Sequence, residues 1–141
     1  GTLSPTSALQ VTGDINCSGV IEKFEGTPTV TGNNTISVDL ASSAKLINCP
    51  AGNLLSNGTL EITNMDIIAG EATNISVVLH QGATAYIIDT IEIDGTTYTI
   101  NWQGGATPIG TVSGIDVFSF TILCTSTGPA AYTILANMVD Y

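Results

Sequence analysis

Val117-Phe118-Ser119-Phe120-Thr121-Ile122-Leu123-Cys124 is the stretch whose reading decides the fold. Phe118, Phe120 and Ile122 fall on one side of an extended chain, because successive side chains of a strand point to opposite faces. Neighbouring segments keep the same period of two. Downstream, Tyr132, Ile134, Ala136 and Met138 alternate toward the end of the chain. Upstream, Ile36, Val38 and Leu40 alternate with Ser37 and Asp39, Leu60 and Ile62 with Glu61 and Thr63, and Ile75, Val77 and Leu79 with Ser76 and Val78. Each reads as a half-buried strand. No long segment carries a helical apolar stripe.

Two dipeptides between apolar runs, Asn57-Gly58 and Asp94-Gly95, predict hairpins, since both can supply the positive φ angles of a type I′ turn. The stronger joins Ile91-Glu92-Ile93 to Thr97-Tyr98-Thr99-Ile100. With about nine or ten short strands and regular turn signals, the expected fold is all-β: an antiparallel β-sandwich of jelly-roll type. With no helical crossovers, a parallel sheet is not expected. Ahead of the sandwich, Leu9, Val11, Ile15 and Ile21 alternate with Gln10, Thr12, Asp14 and Asn16. That pattern predicts an extended N-terminal arm over 1–26, followed by the sandwich over 27–141. Leu9, Val11, Ile15 and Ile21 are the expected contacts to another subunit or to a larger particle.

Composition sharpens the assembly expectation. The chain has 141 residues, 43% of them hydrophobic and only 10% charged, against a usual charged fraction of about 25%. One domain of this length buries roughly 68–70% of the surface its unfolded chain exposes. A surface built mainly of Thr, Ser, Asn and Gly, with apolar residues among them, is one that partners would cover. Twelve carboxylates face only two cations, Lys23 and Lys45, for a net charge of −10. Nucleic acid is excluded as a partner, because phosphate neutralisation needs clustered cations, and an anionic membrane surface is disfavoured by the same repulsion. No apolar run approaches the roughly 18 residues of a membrane-spanning helix.

The search for reactive chemistry predicts none. A Ser-His-Asp arrangement needs a base, and the single His80 stands at a strand end beside a turn. Gly110-Thr111-Val112-Ser113-Gly114 lacks the spacing of a nucleophile elbow. Asp89, Glu92 and Asp94 are close enough in sequence to suggest paired carboxylates for glycoside cleavage, but their placement describes the polar side of a strand. Asp14, Asn16, Asp66 and Asp116 are oxygen donors without calcium-loop spacing. Cys17, Cys49 and Cys124 are odd in number, widely spaced and set among small or apolar residues, which predicts buried free thiols rather than a disulfide framework or a zinc site. No metal or cofactor is expected. Trp102, at a strand end before Gln103-Gly104-Gly105, and Tyr98 are the residues from which a receptor contact would start.

Three ordered blocks carry a resemblance: Gln81-Gly82-Ala83-Thr84-Ala85-Tyr86; Ile100-Asn101-Trp102-Gln103-Gly104-Gly105 with Pro108; and Asp116-Val117-Phe118-Ser119-Phe120-Thr121. The chain from about Asn34 to Tyr141 resembles virion structural proteins of tailed marine bacteriophages, described as tail-fibre-like or structural proteins. That resemblance implies a β-rich, trimeric module on the exterior of the virion, with no reaction and no cofactor. The expected partners are copies of itself and other virion proteins, such as the major capsid or tail proteins. A single domain with a short arm suits a capsid decoration or cement protein as well as a fibre module. The alternative expectation is a receptor-binding module that recognises a host-surface glycan or protein through Trp102 and Tyr98.

Overall fold

In the computed structural model, which describes residues 24–26, 28–32 and 34–141, alternation along the chain becomes two packed sheets. Nearly all of the predicted arm, with Leu9, Val11, Ile15 and Ile21, lies outside the described residues. Eleven strands are described: β1 (Phe24–Glu25), β2 (Val30–Thr31), β3 (Thr35–Asp39), β4 (Leu46–Cys49), β5 (Gly58–Thr63), β6 (Ala72–His80), β7 (Ile88–Ile93), β8 (Thr96–Tyr98), β9 (Ile100–Trp102), β10 (Ile115–Thr127) and β11 (Ala130–Asp140). The first sheet has the order β1-β4-β6-β10-β11-β9, and the second β2-β3-β5-β7-β8. The protein is an all-β sandwich.

The core lies between the two sheets and is built from one parity of each strand. Phe118, Phe120 and Ile122 of β10, Ile75 and Val77 of β6, and Ile134 of β11 face Ile36 of β3, Leu60 and Ile62 of β5, and Ile91 of β7. All of these are fully buried. Each such aliphatic or aromatic side chain contributes roughly 1.5–3 kcal/mol by leaving water. A one-residue slip of any central strand would turn its buried set outward, so burial also fixes the register.

Strand direction departs from expectation. β3, β5 and β7 are mutually parallel, and so are β1, β4 and β6 and the pair β9 and β11. Only β2 with β3, β7 with β8, β6 with β10 and β10 with β11 run antiparallel. The sheets are therefore mixed, not the antiparallel jelly roll that the sequence suggests. The reason lies in the chain path: from β3 to β7 successive strands alternate between the two sheets. A parallel pair needs a long crossover, usually a helix; here a strand of the opposite sheet makes that crossover.

One of the two predicted hairpins forms. Asp94 (φ 47°) and Gly95 (φ 78°) turn β7 into β8, with Ile93 opposite Thr96. Asn57-Gly58 instead carries the chain from β4 in one sheet to β5 in the other. Its Asn57 amide donates to Asp89 Oδ2 (2.9 Å) and accepts from the Ile87 N–H (3.3 Å). Gly58 is needed for space. A Cβ there would sit 3.1 Å from both the Asn34 carbonyl oxygen and Leu54 Cδ1, and 3.2 Å from Ile88 Cδ1. The return strand of the Asp94-Gly95 hairpin is also shorter than expected, because it breaks at Thr99: Tyr98 pairs with Ile91 in the second sheet, whereas Ile100 pairs with Ile134 in the first.

Candidate functional site

The two aromatic residues singled out from sequence are held by packing at the rim of the core. Trp102, half-buried at the end of β9, meets Phe118 and Phe120 edge-on at ring-centroid distances of 6.3 and 6.1 Å. Tyr98 meets Tyr132 edge-on at 5.4 Å, and its hydroxyl donates weakly to the Ala130 carbonyl at 3.5 Å. The two residues therefore join different clusters and belong to different sheets. Edge-on aromatic pairs favour this geometry, with the positive ring edge directed at a negative ring face. Beside Trp102 an open groove of about 460 Å³ runs over the outside of the first sheet, lined by Asn101, Gln103, Ser119, Thr121, Leu135 and Asn137 among others.

A polar network that sequence reasoning missed ties the loops to β10. Asp116 is fully buried, on the same strand face as Phe118. Its Oδ2 accepts from Gln81 Nε2 (2.8 Å) and from the Thr111 N–H (2.9 Å). Gln81 also donates to the Tyr86 carbonyl (2.6 Å) and accepts the Tyr86 N–H (3.0 Å). One carboxylate oxygen and one amide thus fasten both the 81–86 turn and the loop that follows Gly105. Asp116 Oδ1 has no hydrogen-bond partner. The three sequence blocks that carry the resemblance are brought together here: Gln81 bonds both to Tyr86 and to Asp116, and Trp102 rests on Phe118 and Phe120.

Charge is divided unequally between the two outer faces. In the second sheet Asp39, Glu61 and Glu92 point outward, because their neighbours Val38, Leu60, Ile62, Ile91 and Ile93 are buried. Glu61 stands directly beside Glu92 on adjacent strands, with Ser37 Oγ donating to Glu61 (2.8 Å). Asp39 accepts from Asn64 Nδ2 (2.7 Å), the Ala41 N–H (2.9 Å) and Ser42 Oγ (3.0 Å), bonds that hold its carboxyl below its ordinary range. The strands of the first sheet contain only Glu25, Asp116 and Asp140 as charged residues, and each pairs with the inward set: Glu25 with Ile47, Asp116 with Leu79 and Asp140. Among the described residues, the outward positions of the first sheet therefore carry no Asp, Glu, Lys or Arg.

That neutral face is mixed in polarity. Val78, Val117 and Val139 stand side by side across β6, β10 and β11. Phe24, 59% exposed on edge strand β1, lies opposite Leu46. Phe24, Leu46 and Val78 line one shallow depression with Asn48 and His80. Ser76, Ser119 and Asn137 form the next row, and Thr121 Oγ1 donates to Asn74 Oδ1 (2.7 Å) in the row beyond.

The remaining candidates are dispersed. His80 closes β6 half-buried, its Nε2 2.8 Å from Asn48 Oδ1, rather than facing solvent freely. Glu92 points out from β7, while Asp94 sits in the turn and accepts the Asn64 N–H. Among the described residues no three His, Cys, Asp or Glu side chains gather as a metal site, and Asp66 is on an exposed connection away from the Asp116 network. Cys49 and Cys124 are buried free thiols, as expected, whereas Cys17 lies outside the described residues. Burial pushes the Cys49 thiol up, against a smaller opposing effect of Asn53, so its thiolate is scarce at neutral pH. In a Cys17→Ser chain, neither remaining thiol is expected to react with a disulfide reagent over the time in which the denatured chain reacts to completion. Prompt native-state labelling would contradict that.

Searches of protein-family models, of curated proteins and of solved structures find no match to this chain.

Proposed function

We propose that the chain is a non-enzymatic structural component on the exterior of a bacteriophage virion, a capsid decoration or cement protein or a fibre module, working in multiple copies. The observation that carries this reading is the contrast, among the described residues, between the two outer faces: one is acidic, the other free of Asp, Glu, Lys and Arg, partly apolar and wide enough to be a contact surface. Interface cores are depleted in charged residues in the same way. The resemblance blocks add support of a different kind. Their polar and aromatic residues are spent on holding loops to the core, which suits a module whose task is to keep its shape. Trp102 gives the ring faces and edges of Phe118 and Phe120 a partner, so its first role is packing.

Mass spectrometry of purified particles tests the proposal. A stoichiometry of many copies per particle is expected, and extraction under conditions that leave the shell intact would place the chain outside it. Absence from purified particles would end this reading.

A further inference from the structure

The geometry points to the outer face of the six-stranded sheet as the surface on which a second copy of this chain docks. This rests on the reading above that the protein works in multiple copies, and it names the partner of that face. Four observations bear on it: among the described residues the outward positions of the face carry no Asp, Glu, Lys or Arg, it carries a valine row, it exposes large apolar groups, and its size matches a stable contact.

Charge selects the occupant. Two copies, each with a net charge of −10, repel one another most when the faces bearing Asp39, Glu61 and Glu92 meet. Sheets of a sandwich lie about 10 Å apart, so packing the neutral faces together holds the two acidic faces roughly 30 Å from one another. Screening at physiological salt acts over about 8 Å, and at that separation little of the repulsion survives. A cationic partner would be drawn by the same field to the acidic face. The neutral face is thus the surface through which two like-charged copies approach at least cost.

Size and chemistry agree. Six strands spaced about 4.8 Å apart span roughly 24 Å. β6 and β10 stay in register over nine pairs, from Ile115 with His80 to Leu123 with Ala72, or about 30 Å at roughly 3.4 Å per residue. The plan area of about 500–700 Å², after allowing for the short edge strands, corresponds to an accessible area near the ~800 Å² that each partner buries in a standard interface. Val78, Val117 and Val139 supply the apolar strip, with Leu135 and Val139 remaining 45% and 44% exposed. Ser119 and Asn137 offer hydrogen bonds around it. A face meeting its own copy about a twofold axis needs only self-complementarity, which an uncharged surface of donors, acceptors and methyl groups provides.

The test uses the full purified chain in sedimentation equilibrium, beside a Ser119→Glu/Leu135→Glu variant. Both positions are outward and exposed, so circular dichroism and the melting temperature are expected to match the parent. Reversible association is expected for the parent, and at least about a hundredfold weaker association for the variant, since like charges brought together in a contact are costly. Glu61→Gln/Glu92→Gln, on the opposite face, is expected to associate as well as the parent or better. Raising the salt is expected to strengthen association of the parent by screening the repulsion between bodies. A parent chain that stays monomeric overturns the inference, as does a face variant that associates normally. Retained association in the face variant, lost when Leu9, Val11, Ile15 and Ile21 are replaced by Ser, would assign the contact to the N-terminal segment instead. Many copies on purified particles together with a face variant that still associates would sink this inference while leaving the functional proposal standing.

Discussion

Phe118→Ala is expected to lower the free energy of unfolding by about 3–5 kcal/mol, a fifth or more of the roughly 5–15 kcal/mol that holds a domain together. Phe118 is fully buried near the start of β10, between Val77 of β6 and Met138 of β11. Its ring lies parallel to that of Phe120, with centroids 6.4 Å apart, and meets Trp102 edge-on. Truncation removes apolar area and also leaves a cavity bounded by two sheets. Those sheets cannot close on the gap, because their hydrogen-bonded registers are fixed by all the other buried positions. Urea denaturation followed by circular dichroism measures the loss. Phe24→Ala is the matching control: Phe24 is an exposed side chain on a two-residue edge strand, and its removal is expected to cost well under 1 kcal/mol. Similar losses for the two variants would contradict the core described here.

Phe118 was legible from sequence for a simple reason. Alternation over Val117 to Cys124 reports which side chains share a face, and β10 obeys it without exception through Cys124. The partners of each face were not legible. Parallel and antiparallel strands share the same period of two, so Leu60 and Ile62 look alike whether β5 lies beside β3 by a hairpin or by a crossover through the other sheet. Turn chemistry narrows the choice only where the chain reverses directly. Asp94-Gly95 does so, while Asn57-Gly58 has the same signature and serves another purpose, its amide fastened to Asp89 and Ile87 and its glycine pressed against Asn34 and Leu54.

The neutral face was hidden for the same reason. Ser119, Asn137, Ser76 and Val78 are ordinary outward residues one strand at a time, and only the order β6-β10-β11 assembles them beside one another. Gln81 and Asp116, 35 positions apart, gave no joint signal. Asp116 alone did: it shares the parity of Phe118, Phe120 and Ile122, so a carboxylate was due to face the core.

That buried carboxylate leads to the second large effect, which lies in the comparison of two substitutions. Asp116→Ala deprives the Thr111 N–H of its acceptor and leaves Gln81 Nε2 with the Tyr86 carbonyl alone. A buried donor left unmatched costs about 1–3 kcal/mol, and the loop around Thr111 loses its tether to β10. Global stability is therefore expected to fall by at least about that amount, with hydrogen exchange at the Thr111 amide accelerating more than exchange in β10. Asp116→Asn behaves differently. Its carbonyl oxygen can occupy the place of Oδ2 and accept both bonds, while its NH₂ group takes the position of Oδ1, where its two N–H donors meet no partner. Those unmatched donors carry a cost of their own, but both bonds to Oδ2 are kept, so the Asn variant is expected to lose less stability than the Ala variant and to keep Thr111 protected. If Asn and Ala were equally damaging, the negative charge itself, rather than an acceptor at the Oδ2 position, would be what holds the 81–86 turn and the Thr111 loop against the sandwich.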